Sequence, residues 1–132
     1  MDPKILTVGP AYMDILFRAP GIPAPGETVT VNDLSAVWLA DGQGVNCAVA
    51  LARLGAKSAL SCRLGQDVEG QRLYALLSEA GVDTSPIIAD ARSATGLRLL
   101  LADGGAVRTV CYPAANSNLT RDNLDAAFAT QP

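Results

Sequence analysis

A chain of 132 residues, 49% apolar and 17% charged, is long enough for one domain with a core of its own. The formal net charge of −3, ten Lys and Arg against thirteen Asp and Glu, gives no basic footprint for a phosphate backbone, so no nucleic-acid partner is expected. With no histidine and with Cys47, Cys62 and Cys111 far apart, a Cys-His zinc site and every Ser-His or Cys-His nucleophile pair are excluded.

In chain order, "KILTVG" (residues 4–9) is β-branched and apolar and ends at Gly-Pro, which predicts a buried strand. "MDILFRA" (13–19) predicts a second strand, and "PGIPAPGE" is a turn rich in proline and glycine that neither a helix nor a central strand tolerates. "ETVTVN" (27–32) alternates as a strand with one wet face should, and "SAVWLA" (35–40) predicts a fourth strand running into glycines. Residues 44–54 place Val45, Ala48, Val49 and Ala52 at helical spacing before Gly55. "KSALSCRLG" (57–65) predicts one strand. A helix capped by Asp67 follows, with Leu73, Leu76, Leu77 and Ala80 on one face and an end at Gly81.

"PIIA" (86–89) is a short strand, and "TGLRLLLADGGAVRTVCY" (95–112) is a hairpin turning at Asp103-Gly104-Gly105. Thr120 then caps a last helix, "RDNLDAAFA". Strand and helix alternate from 36 to 89, as in an α/β layer architecture, while the strands near 14–17, 27–31 and 97–112 predict a separate small antiparallel sheet, a natural lid. The low charged fraction predicts apolar surface meant for another domain, another subunit or further chain. The three thiols are expected to be free and buried. No secretory leader and no membrane span is legible, so a cytoplasmic protein without a membrane partner is expected.

"DGQGVNC" (41–47) fits neither standard phosphate cradle: the third glycine of a dinucleotide fingerprint would fall at Cys47, and no Gly-Lys-Ser/Thr follows. Two readings stand. Either the glycines make a structural turn ahead of a packed helix, or Gly backbone and the Asn46 amide hold a polar ligand at the helix's positive end.

The order of "VGPAYMD", "PAPGETVTVN", "DGQGVNCAVALARLGA", "RLGQDVEGQ", "LSEAGVDTS" and "ATGLRLLLADGGAVRTV" resembles the N-terminal half of the ribokinase-like carbohydrate kinases, the PfkB group, over nearly the whole chain. The resemblance implies a Rossmann-like α/β ribokinase fold: residues 1–132 would form the N-terminal part of the kinase domain, with lid strands at about 12–39 and 95–112. It also implies ATP-dependent phosphorylation of a sugar hydroxyl with Mg2+. By position, Asp14 matches the family aspartate that binds sugar hydroxyls. Gly42, Gln43, Gly44 and Asn46 fall in the stretch whose backbone and amide hold the sugar. A carboxylate and an amide can grip a diol through paired donors and acceptors. Without a ligand, Asp14 would be a solvated strand-end carboxylate and Asn46 a helix-cap amide.

The sequence departs from the family pattern in three places. Asp41 replaces the first glycine of Gly-Gly-x-Gly-x-Asn, and Tyr12 stands where ribose kinases carry asparagine, which disfavours ribose itself. Arg98 lies in a lid strand: facing the substrate it would favour a sugar acid or sugar phosphate, and on the outer face it would face water. The family's Asp-Thr-x-Gly-Ala-Gly-Asp run, which makes the anion hole and supplies the general base, does not occur in these 132 residues. The catalytic and ATP-binding half is therefore expected outside them, and the chain alone is expected to be inactive and prone to associate, with a homodimer through the lid. The alternatives are a non-catalytic sugar-binding or dimerisation module and, less well supported, a nucleotide-binding protein using Gly42 and Gly44.

Overall fold

The computed structural model describes residues 4–31 and 37–130. Two parallel strand pairs carry the α/β part. β1 (Lys4–Val8) pairs with β4 (Lys57–Ser61), Lys4 opposite Lys57 through Val8 opposite Ser61, and β5 (Arg63–Gly65) pairs with β6 (Ile88–Asp90). The expected single strand over 57–65 is thus broken at Cys62, where the chain changes partner: the Cys62 carbonyl accepts the Ile88 N–H at 2.9 Å.

Helices α1 (Gln43–Arg53) and α2 (Val68–Glu79) follow β3 (Val37–Asp41) and β5. Helix α1 turns Gly44, Val45 and Ala48 inward, and α2 turns Gly70, Leu73 and Leu77 inward. With Met13, Leu60, Cys62 and Leu64 these form the core, and burying each Leu or Met side chain contributes about 2 kcal/mol. Leu76, expected on the same face, remains 41% exposed.

The lid is a four-stranded sheet in the order β3-β2-β7-β8, with β2 at Tyr12–Arg18, β7 at Gly96–Ala102 and β8 at Val107–Tyr112. It is mixed, not purely antiparallel, because its central pair, β2 and β7, runs parallel with Asp14 opposite Arg98. That register is possible because β7 arrives by a long route through α1, β4 and α2, which a parallel neighbour requires. The strand expected over 27–32 does not form: residues 27–31 are irregular, and Asn32 lies outside the described residues. Proline and glycine at 20–26 set this stretch apart from the sheet edge that β3 takes instead. Ser35 and Ala36 of the expected fourth strand are also outside the described residues. What is described of it, Val37–Asp41, belongs to the lid and not to the α/β layer.

The hairpin β7–β8 turns at Asp103-Gly104-Gly105 as expected, and Asp103 accepts the N–H groups of Gly105 and Ala106. Thr120 caps α3 (Arg121–Ala129), with Asn123 completing a capping box. A 3-10 helix, Ala114–Asn118, joins lid to α3 and was not legible in the sequence. Only Cys62 among the thiols is buried; Cys47 is exposed on α1 with its sulfur accepting from the Thr7 hydroxyl of β1, and Cys111 is on β8, whose six residues are all exposed. Large apolar side chains also reach solvent, among them Leu54, Val110 and Phe128. Among the described residues no helix is long and apolar enough to cross a membrane.

Candidate functional site

The site begins at the turn between β1 and β2. Gly9 and Pro10 bring this turn against the start of α1 so closely that a Cβ on Gly44 would lie 2.8 Å from the Gly9 carbonyl, and one on Gly42 2.4 Å from the Pro10 oxygen. The glycines therefore serve the structural turn directly. They also put the open end of α1 beside the first residues of β2. A further clamp holds the turn: Asn116 of the 3-10 helix accepts the Ala11 N–H and donates to the Ala11 carbonyl, both at 2.9 Å. Nothing in the sequence singled out Asn116, because its partner lies 105 residues away.

Strand alternation puts Tyr12, Asp14, Asp41 and Arg98 on one face of the lid, since Tyr12 pairs with Asp41 and Asp14 with Arg98. The side chains form a continuous polar chain. Arg98 Nε donates to Asp14 Oδ1 at 2.8 Å and Nη2 to Asp14 Oδ2 at 2.7 Å, a two-pronged pair. Nη2 also donates to Asp41 Oδ2 at 2.7 Å. Asp41 Oδ1 accepts the Gly42 N–H at 2.7 Å and the Asn46 Nδ2 amide at 2.6 Å. Beneath this chain the Tyr12 ring lies 4.9 Å from the guanidinium carbon, a cation–π contact.

Of the expected site residues, Asp14, Gly42, Asn46 and Arg98 are thus in one place, and Arg98 is on the face of Asp14, not the opposite one. Gln43 is exposed on the first turn of α1, with no hydrogen bond from its side chain among the described residues. Gly44 is buried against the backbone of Gly9. Asp41, noted in the sequence only as a departure, is the residue that joins Asn46 to Arg98.

Asp14 is 1% exposed; burial raises its carboxyl above the usual range, Arg98 works in the opposite direction, and the neighbouring Asp41 adds to the rise. Asp41 is partly open. Burial pushes it up, but the Gly42 N–H, the Asn46 amide and the Arg98 charge together hold it below the usual range. Arg98 is raised, first by its bond to Asp14. The geometry sets two carboxyl groups against one guanidinium.

A cleft of about 390 Å³ opens nearby between β3, α1 and α2, lined by Trp38, Leu39, Val49 and Leu76 among others. It shares only Asn46 with the polar chain, and apart from Asn46 and Arg53 its lining side chains are apolar. A polyol needs donors and acceptors, so the polar chain is the better ligand site. Among the described residues no group of three or more His, Cys, Asp or Glu side chains could hold a metal ion, so none is assigned to magnesium.

Residues 2–131 match the pfkB family of carbohydrate kinases. The chain belongs to this family. Among curated relatives it is 34% identical over 119 residues to the ribokinase of Haemophilus influenzae, covering 89% of this chain and 38% of that protein. Among solved structures, Arabidopsis thaliana ribokinase complexed with ribose and ATP superposes with a TM-score of 0.81 at 26% identity, over 95% of this chain and 42% of that one. Xylella fastidiosa fructokinase with bound ATP does so with a TM-score of 0.75 at 30% identity, over 98% and 40%. The pfkB-family chain described here therefore has the ribokinase fold and spans about two fifths of the length of these proteins.

Proposed function

We propose that this chain supplies the sugar-binding and lid part of an ATP-dependent carbohydrate kinase. The observation that carries the reading is the polar chain Asp14–Arg98–Asp41–Asn46, set on the lid face opposite Met13 and Leu97 and directly in front of the α1 N-terminus. Phosphoryl transfer relies on positioning and on charge neutralisation. The residues here can do the first of these: Asn46 and Asp14 bind and orient hydroxyls.

ATP and Mg2+ would supply the phosphoryl group and neutralise its charge, and no described residue of this chain is assigned to either. Residues 1–132 alone are accordingly expected not to phosphorylate sugar. Ribose and fructose are reasonable first ligands, since relatives named ribokinase and fructokinase match the chain. The lid is further proposed to pair with a second lid, a reading supported by β8, an edge strand whose residues are all exposed.

Thermal unfolding of the chain with each sugar and with ATP tests the main reading. A sugar at about 100 times its dissociation constant adds about 2.7 kcal/mol of stability, and Asp14→Ala should abolish that gain. Stabilisation by ATP with none by any sugar would overturn it. Sedimentation of the same sample tests the pairing, and a monomer at tens of micromolar would remove it.

A further inference from the structure

Asp41 is the last residue of β3 and stands immediately before the α1 N-terminus. Its carboxylate does two things at once: Oδ1 fixes the Asn46 amide, and Oδ2 takes the N–H of Arg98 that Asp14 leaves over. A guanidinium has five N–H donors. Nε and both N–H groups of Nη2 are committed to the two aspartates, which leaves the pair on Nη1. The remaining inventory for a ligand is those two donors, one amide hydrogen and the carbonyl of Asn46, and the unused carboxylate lone pairs. That is a set for hydroxyl groups.

We propose that Asp41 and Arg98 make this site selective for uncharged polyols, with sugar acids and sugar phosphates excluded by the second, unbalanced carboxylate. The inference rests on the reading that the polar chain holds a sugar. Arg98 alone on this face would attract an anion. With Asp14 and Asp41 both bonded to it the group carries a net charge of −1, and among the described residues no second cation pairs with either aspartate. An anionic ligand can reach only the Nη1 pair of the guanidinium, with both carboxylates still bonded beside it. The Asp14 side chain is only 2% exposed, so taking Arg98 from it would leave a buried carboxylate without a partner. Asp41, at 34%, is the more open of the two and places its charge where the ligand approaches.

One excess unit charge beside the ligand in a half-exposed site corresponds to about tenfold discrimination or more at moderate salt. Calorimetric titration of the full chain with ribose and fructose, against gluconate and fructose 6-phosphate, reads this directly. The expected result is binding of at least one neutral sugar, with both anions weaker by about tenfold or more and the gap narrowing as salt is raised. Asp41→Asn, which keeps the shape and removes the charge, should narrow the gap by about tenfold. Should that variant fail to fold, the salt series on the unaltered chain still decides. Anions that bind as tightly as the neutral sugars would overturn the selectivity and leave the sugar site standing. If no sugar of either kind binds, the sugar site and the selectivity fall together.

Discussion

A Cβ placed on Gly42 would lie 2.4 Å from the Pro10 carbonyl oxygen, and the φ of 114° at this residue is one that side chains rarely adopt. Neither obstacle can be relieved by a rotamer change, because both involve backbone. Gly42→Ala should therefore destabilise the chain by about 3 kcal/mol, combining backbone strain with displacement of the β1–β2 turn. Gly55 is the natural control. Its φ is 89°, but nothing lies within 4 Å of a Cβ there, so Gly55→Ala should cost only about 1 kcal/mol. Urea midpoints measure both, and equal losses would show that the contact with Pro10 does not matter. This contrast also explains why the glycine motif was ambiguous as a sequence: the same two residues serve a turn and leave an open helix end, and the sequence does not reveal the partner 32 residues upstream.

Among the elements, those built by neighbours in sequence were legible and those built by distant partners were not. The turn residues Asp103-Gly104-Gly105 mark their hairpin, and Asp67 marks the start of α2, because each acts within a few residues. The parallel pairing of β2 with β7, the break at Cys62 and the clamp from Asn116 depend on contacts across the chain that leave no periodic trace. The candidate site divides the same way: Asn46 was legible as an amide at a helix entrance, Asp14 and Arg98 were found through a resemblance, and the role of Asp41 needed the register that sets it beside Arg98.

Asp67 carries both kinds of information. It caps α2 through the Gly70 N–H at 2.9 Å, as expected, and it also accepts the Thr95 N–H at 2.8 Å and hydroxyl at 2.5 Å, tying α2 to the entry of lid strand β7. Thr95 is 1% exposed, so removing Asp67 strands buried polar groups besides losing a cap. Asp67→Ala should cost about 3 kcal/mol, more than the roughly 1 kcal/mol of an ordinary cap, by urea denaturation. A loss of the ordinary size would mean that the link to the lid contributes nothing.

For the molecule as a whole, acid should unfold the chain through carboxylates that are better off ionised when folded. Lys4 of β1 is hydrogen-bonded to Asp83, whose backbone pairs with Ser58 and Leu60 of β4, so one ion pair closes the outer parallel pair against the end of α2. That bond first, and the Ser85 N–H after it, hold the Asp83 carboxyl down at about 2. A carboxyl lowered on folding stabilises the native state above its unfolded value near 4, and the gain is lost as pH falls from about 4 to about 2. Asp90 acts in the same direction, held down first by the Asn118 amide. Asp14 acts in the opposite direction, because burial raises it and its ionisation is easier in the unfolded chain. The Asp83 contribution is about 1 kcal/mol once allowance is made for side chains that are 28% and 32% exposed. Lys4→Gln should lower stability by about that amount near neutral pH and flatten the decline between about pH 4 and pH 2. Unfolding midpoints at several pH values decide the matter, since parallel declines in the variant and the parent would show that the ion pair is not what acid removes.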